Sequence, residues 1–134
     1  MSIQTLSYEK ESINTTTYKA ETEEGKIAAL LYWLGITEKY VGFDYLTYAI
    51  LLAKQEPERL CLATKWLYPE IAKHFQTNWQ AVERGMRYAI HVIWSMRREQ
   101  LKQITQCHLE KKPCVSCFIE IVIHCLNMDV DIQQ

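Results

Sequence analysis

Apolar side chains recur every three or four positions along most of the chain, and no stretch alternates long enough to make a useful strand. From Glu23 to Leu34, Ile27, Leu30, Leu31 and Leu34 line one side of a helix that Gly35 ends. A second helix is predicted from Phe43 to about Gln55, with Leu46, Ala49, Ile50 and Ala53 on one face and Pro57 closing it. Pro57 also opens a third helix, carried by Leu60, Ala63, Thr64 and Leu67 to Tyr68, at a first-turn position where its missing N–H costs nothing. Pro69 begins a short fourth helix through Phe75. From Trp79 to about Arg98, Val82, Met86, Ala89 and Ile93 form an apolar stripe, while Gln80, Arg84, Arg87 and His91 fall on the opposite side. Leu101 and Ile104 mark a further short helix. Phe118, Ile121, Val122 and Cys125 mark a last one, Phe118 to Met128.

The fourth and fifth of these segments read together as a helix-turn-helix, Leu67 to Ile90. Gln76-Thr77-Asn78 forms the turn, and small Ala72 stands where the two helices cross closely. The fold class predicted is all-α, about six helices with this motif at the centre. Residues 1–25 are rich in Thr, Ser and Glu and show no apolar period. They are expected to be a polar, flexible leader with at most a little local structure around Ile13 to Tyr18, ahead of a helical domain over 26–134.

Composition narrows the class. A chain of 134 residues with 49% hydrophobic and 23% charged side chains buries a core, and 4 Gly and 3 Pro leave few tight turns for a many-stranded sandwich or barrel. The uncharged run Ile27–Thr37 is too short to span a bilayer, and the N-terminus lacks the order of a signal peptide. A soluble protein of the cytoplasm, associated with the nucleoid, is expected, with no membrane partner. The net charge of −1 conceals an asymmetry: −3 over residues 1–64, +5 over 65–112 and −3 over 113–134. A basic centre on the helix-turn-helix suits phosphate contacts, although a solvated helical face would show the same charge.

The wording of that segment carries a resemblance. Tyr68-Pro69-Glu70-Ile71-Ala72-Lys73, then Val82-Glu83-Arg84, Arg87, Ala89-Ile90, Val92 and Trp94-Ser95, closely resembles the DNA-binding effector domain of the stage 0 sporulation protein A family of response regulators. Gly35 and Gly42, Tyr45-Leu46, Ala49-Ile50, Lys112-Pro113 and Phe118-Ile119 extend it over about residues 26–128. The resemblance implies an all-α domain whose recognition helix, 79–96 here, enters the major groove of a promoter box, usually with two protomers in tandem as a homodimer on double-stranded DNA. It implies that Glu83 and Arg84 contact base edges and that Arg87 shares their face. The chemistry agrees: an Arg fork matches guanine O6 and N7, and a carboxylate accepts from cytosine N4. Gln80 can add a base contact. Lys65, Lys73, Asn78, Trp79, His91, Arg97, Arg98 and Lys102 are the backbone candidates. The competing reading of Glu83 is an i,i+4 surface ion pair with Arg87, worth about 0.3–0.5 kcal/mol.

The departures are informative too. Only about 25 polar residues precede the first helix, where the family's full-length members carry a receiver domain, so no receiver is expected in this chain. Trp79, Gln80 and Ala81 replace smaller residues and a basic one, which removes a contact at Ala81. The chain is shorter between Trp94 and Pro113, where family members touch the polymerase sigma factor. An alternative function is a protein-interaction modulator, an antagonist whose last helix and acidic ends bind a full-length family member or another partner.

Five Cys without an export signal predict free thiols rather than a disulfide framework. Cys107, Cys114, Cys117 and Cys125, with His108 and His124, could be drawn as a zinc site, which gives a weaker thiol or zinc-sensor alternative, but the spacing is incomplete as a finger. Inert thiols, with no metal and no cofactor, are the default. Cys61, Trp33, Trp66 and Trp94 are expected in or against the core, His74 on the surface, and Trp79 packed on the preceding helix or laid on the DNA backbone. No Ser-His-Asp, paired-carboxylate or Gly-rich phosphate constellation is present, so no catalysis is predicted.

Overall fold

The structure is a computed structural model that describes residues 22–105 and 108–128. Ile13–Tyr18 and Cys107 lie outside the described residues. Among those described there are seven α-helices, one 3₁₀ helix and no strand.

Helix α1 (Glu23–Trp33) opens on Thr22, whose hydroxyl oxygen accepts from the Gly25 N–H at 2.9 Å, and Glu23 and Glu24 complement the positive end of its dipole. Its first three residues come from the stretch expected to be leader. At its other end the Ile36 N–H bonds the Leu31 carbonyl and the Gly35 N–H bonds the Tyr32 carbonyl, with Gly35 at φ 95°. That is a Schellman turn, and glycine occupies the one residue that must be left-handed. Helix α2 (Val41–Gln55) runs back along α1, and Lys54 at its end pairs with Glu23 at 2.5 Å.

The third predicted helix is instead two short pieces, a 3₁₀ helix (Pro57–Leu62) and a single turn, α3 (Ala63–Trp66). No residue of either is buried. Leu60 and Ala63 pack against the core, but Cys61 and Trp66, expected inside, are exposed, Trp66 by 43%. Three residues per turn rotate the chain differently from an α-helix, so the residue after Leu60 faces outward. Arg59 then donates to the Trp66 carbonyl at 2.7 Å and closes this segment on itself.

Helices α4 (Tyr68–Phe75), α5 (Trp79–Met96), α6 (Arg98–Ile104) and α7 (Val115–Asn127) complete the order; α7 starts three residues earlier than the pattern predicted. The predicted stripes meet in one core: Leu30 of α1 and Leu34 at its C-cap, Leu46 and Ile50 of α2, Ile71 of α4, Val82, Met86 and Ile93 of α5, Leu101 of α6, Phe118 and Val122 of α7. Trp33 and Trp94 are half-buried against it, as is Ile121. Each fully buried Leu, Ile, Val, Met or Phe contributes about 1.5–3 kcal/mol.

Helix α2 is the hub, packed on α1, α4, α5 and α7. It crosses α5 at two glycines. A Cβ on Gly42 would lie 2.3 Å from the Gly85 carbonyl oxygen, and one on Gly85 would lie 3.0 Å from the Tyr45 ring. Helix α5 therefore rests backbone-close on α2. No helix among the described residues is long and apolar enough to cross a membrane.

Candidate nucleic-acid interface

The turn between α4 and α5 assigns each of its residues a task. Gln76 ends α4 in the left-handed region at φ 57°, with the Thr77 N–H on the Ala72 carbonyl at 2.9 Å. Asn78 opens α5, its side-chain oxygen accepting from the Ala81 N–H at 2.8 Å. The Asn78 side chain, a candidate for the DNA backbone, is thus already engaged as a helix cap. Ala72 and Tyr68 are buried on the α4 side of the crossing. Tyr68 lies near the Glu83 carboxylate, and burial first, then that charge, pushes its hydroxyl up to about 12.

Along α5 the two faces separate as the pattern predicts. Val82, Gly85, Met86, Ala89 and Ile93 are buried, and Gln80, Arg84, Arg87 and His91 are exposed. Arg84 has no hydrogen-bond or ion-pair partner among the described residues. Arg87 pairs with Glu83 at 2.8 Å across one turn, i,i+4. Such a solvent-facing pair is worth only a few tenths of a kcal/mol.

Two residues not singled out from sequence join this face. Tyr88, 58% exposed, stands four residues after Arg84 and has its ring 6.4 Å from that of His91 and 6.1 Å from that of Tyr40. Lys112, in the segment before α7, brings its ammonium to 3.5 Å from His91 Nδ1. The exposed i,i+4 spacing could have flagged Tyr88; nothing local could have placed Lys112.

The remaining backbone candidates are spread over α3, α4, α5, its C-cap and α6. Lys73 is exposed on α4 and Lys65 on α3, and Trp79 is 38% exposed at the entrance of α5. Arg97 caps the opposite end of α5 from Gln80, about 25 Å along its axis, and Arg98 and Lys102 follow on α6. The Arg97 guanidinium donates to the Trp33 carbonyl at 3.1 Å and its methylenes cover Gly35, which closes the end of α1. Arg98 donates to the Trp94 carbonyl and lies 4.4 Å over the Trp94 ring. His74 is exposed and stacks on Tyr48 at 4.1 Å.

Among the described residues no three His, Cys, Asp or Glu side chains come close enough to hold a metal ion. Cys114 is exposed at the start of α7, Cys117 is half-buried, and Cys125 is buried, which pushes its thiol up.

A helix-turn-helix with its second helix anchored by one stripe and presenting Gln, Arg and His on the other defines a DNA-binding domain. Residues 27–126 match the family described as Sporulation initiation factor Spo0A C terminal, and the chain belongs to that family. Its role is that of a DNA-binding effector domain in sporulation; the family binds double-stranded DNA and is not one of enzymes.

Proposed function

We propose that the chain is a sequence-specific transcriptional regulator that reads a promoter box by laying the first half of α5 in the major groove. In this reading Arg84 bonds a guanine edge, Glu83 accepts from the adjoining cytosine, and Arg87 and Gln80 extend the contact. Lys73, His91, Lys112 and the exposed Trp79 ring meet phosphates or sugar on either side, with Lys65, Arg98 and Lys102 as outlying backbone contacts. Arg97 is assigned instead to α1, whose last carbonyl it holds. The protein acts on DNA in the cytoplasm, at the nucleoid, with two copies on tandem boxes.

The observation that carries the proposal is the unpartnered, exposed Arg84 beside the Glu83–Arg87 pair on a helix seated against backbone. The test is a mobility-shift titration with a box selected from random DNA. Arg84→Ala weakens binding to that box by about 10- to 100-fold, and affinity falls steeply with salt. Equal binding of Arg84→Ala and the parent to the selected box refutes the assignment.

A further inference from the structure

Tyr88 lies on α5 between the side chains assigned to base edges, Arg84 and Arg87, and the pair assigned to phosphate, His91 with Lys112 beside it. It stands one turn beyond Arg84 and two beyond Gln80, so the three share a line along the outer side of the helix. At about 1.5 Å per residue, Gln80 to Tyr88 covers roughly 12 Å, which is about the width of the major groove. The Tyr88 side chain is 58% exposed, and its hydroxyl has no hydrogen-bond partner among the described residues. Its ring is nonetheless braced. Tyr40, the N-cap of α2 and itself packed against the core, places its ring 6.1 Å away, and the His91 ring is 6.4 Å away. Both spacings fall in the range of about 4.5–7 Å at which aromatic pairs interact. A rigid side chain with few torsions, steadied in this way, loses little entropy when a surface closes on it.

We infer that Tyr88 is a specificity-determining residue of this interface, its ring packed on the 5-methyl group of a thymine; this rests on the major-groove placement of α5 proposed above. In that placement Arg84 and Glu83 supply hydrogen bonds, which suit the polar edges of guanine and cytosine. The ring carbons of Tyr88 supply none, and the thymine methyl is the apolar group that a base edge shows in the major groove. Cytosine at the same place loses the buried methyl and leaves its amino group desolvated against the ring, so the contact discriminates between the two pyrimidines. A bond from the Tyr88 hydroxyl to a phosphate is the competing use of the side chain. It would engage one atom and leave the ring unused, at a place where the Lys112 ammonium already stands by His91.

The test is a set of binding titrations of the full chain, at fixed salt, on the box selected from random DNA, with each thymine in turn replaced by deoxyuridine, which removes the methyl group and nothing else. The parent should lose about fourfold in affinity at one of these thymines. Tyr88→Ala should lose about the same factor on the unmodified box and show no further loss with deoxyuridine at that position, while Tyr88→Phe should match the parent on both. Thermal melts establish that the variants are folded, and the scan of the parent requires no variant. A parent insensitive to deoxyuridine at every thymine overturns the inference, as does a Tyr88→Ala variant that keeps the parent's full sensitivity. Tyr88→Phe binding as weakly as Tyr88→Ala overturns it in favour of the hydroxyl-to-phosphate contact. Arg84→Ala separates the two levels: if it binds the box as well as the parent, the groove placement fails, and if it weakens binding while no deoxyuridine matters, the Tyr88 contact alone fails.

Discussion

Placing a methyl group on Gly42 sets two effects of known sign against each other. Gly42 is the second residue of α2, and helix propensity there favours Ala by up to about 1 kcal/mol. Against it stands the crossing with α5: the new Cβ would sit 2.3 Å from the Gly85 carbonyl oxygen and 2.9 Å from both the Gly85 carbonyl carbon and the Ala89 Cβ. Ordinary contact begins near 3.4 Å, so the two helices must separate by about 1 Å at this point. Two of the obstructing atoms are backbone and the third is an Ala Cβ fixed to it, so none can rotate aside, which puts the cost at the upper end of the overpacking range, about 3 kcal/mol or more before the propensity gain. Gly42→Ala is therefore expected to be net destabilising by about 2 kcal/mol, and to lower the melting temperature by roughly 8–16 °C for a domain of this size. Gly85→Ala meets only the Tyr45 ring and a Val41 methyl, at 3.0–3.1 Å, and these side chains can turn, so it costs less. Urea denaturation of the two variants measures the order. A Gly42→Ala variant as stable as the parent, the result propensity alone requires, refutes the close-crossing argument.

Three further changes probe the seat of the motif. Gln76→Gly removes the steric cost of a left-handed non-glycine residue, less the entropy Gly adds to the unfolded chain, and should raise stability by about 0.5–1 kcal/mol in urea melts. Asn78→Ala loses the cap on α5 and costs about 1 kcal/mol in the same assay, whereas Asn78→Asp or Asn78→Ser retains most of it. Tyr68 has its hydroxyl raised from 10 to about 12, so its contribution to stability is intact below pH 10 and lost as pH climbs from 10 through about 12. Alkaline denaturation followed by circular dichroism should show this fall, and Tyr68→Phe should lessen it.

The stripes on α1, α2, α4, α5 and α7 were legible because each is a long or strongly periodic segment with a glycine, proline or turn at its end. Cys61 and Trp66 were misplaced because the period was read as 3.6 through Pro57–Leu62, where the chain winds with three residues per turn. The exposed face of α5 followed from the same periodicity. The engagement of Arg97 with Trp33 did not, since it joins residues 64 apart and depends on how the helices pack. The approach of Lys112 to His91 has the same origin, across 21 residues.

The contact between Gly42 and Gly85 bears on how such a domain changes its target. The position of α5 is set by a main-chain crossing that two glycines permit, and the residues that face outward at 80, 84 and 87 take no part in that seat. Under the proposed reading, in which those positions set the binding preference, no compensating substitution is needed beneath them, and libraries varied there should stay folded while their targets diverge.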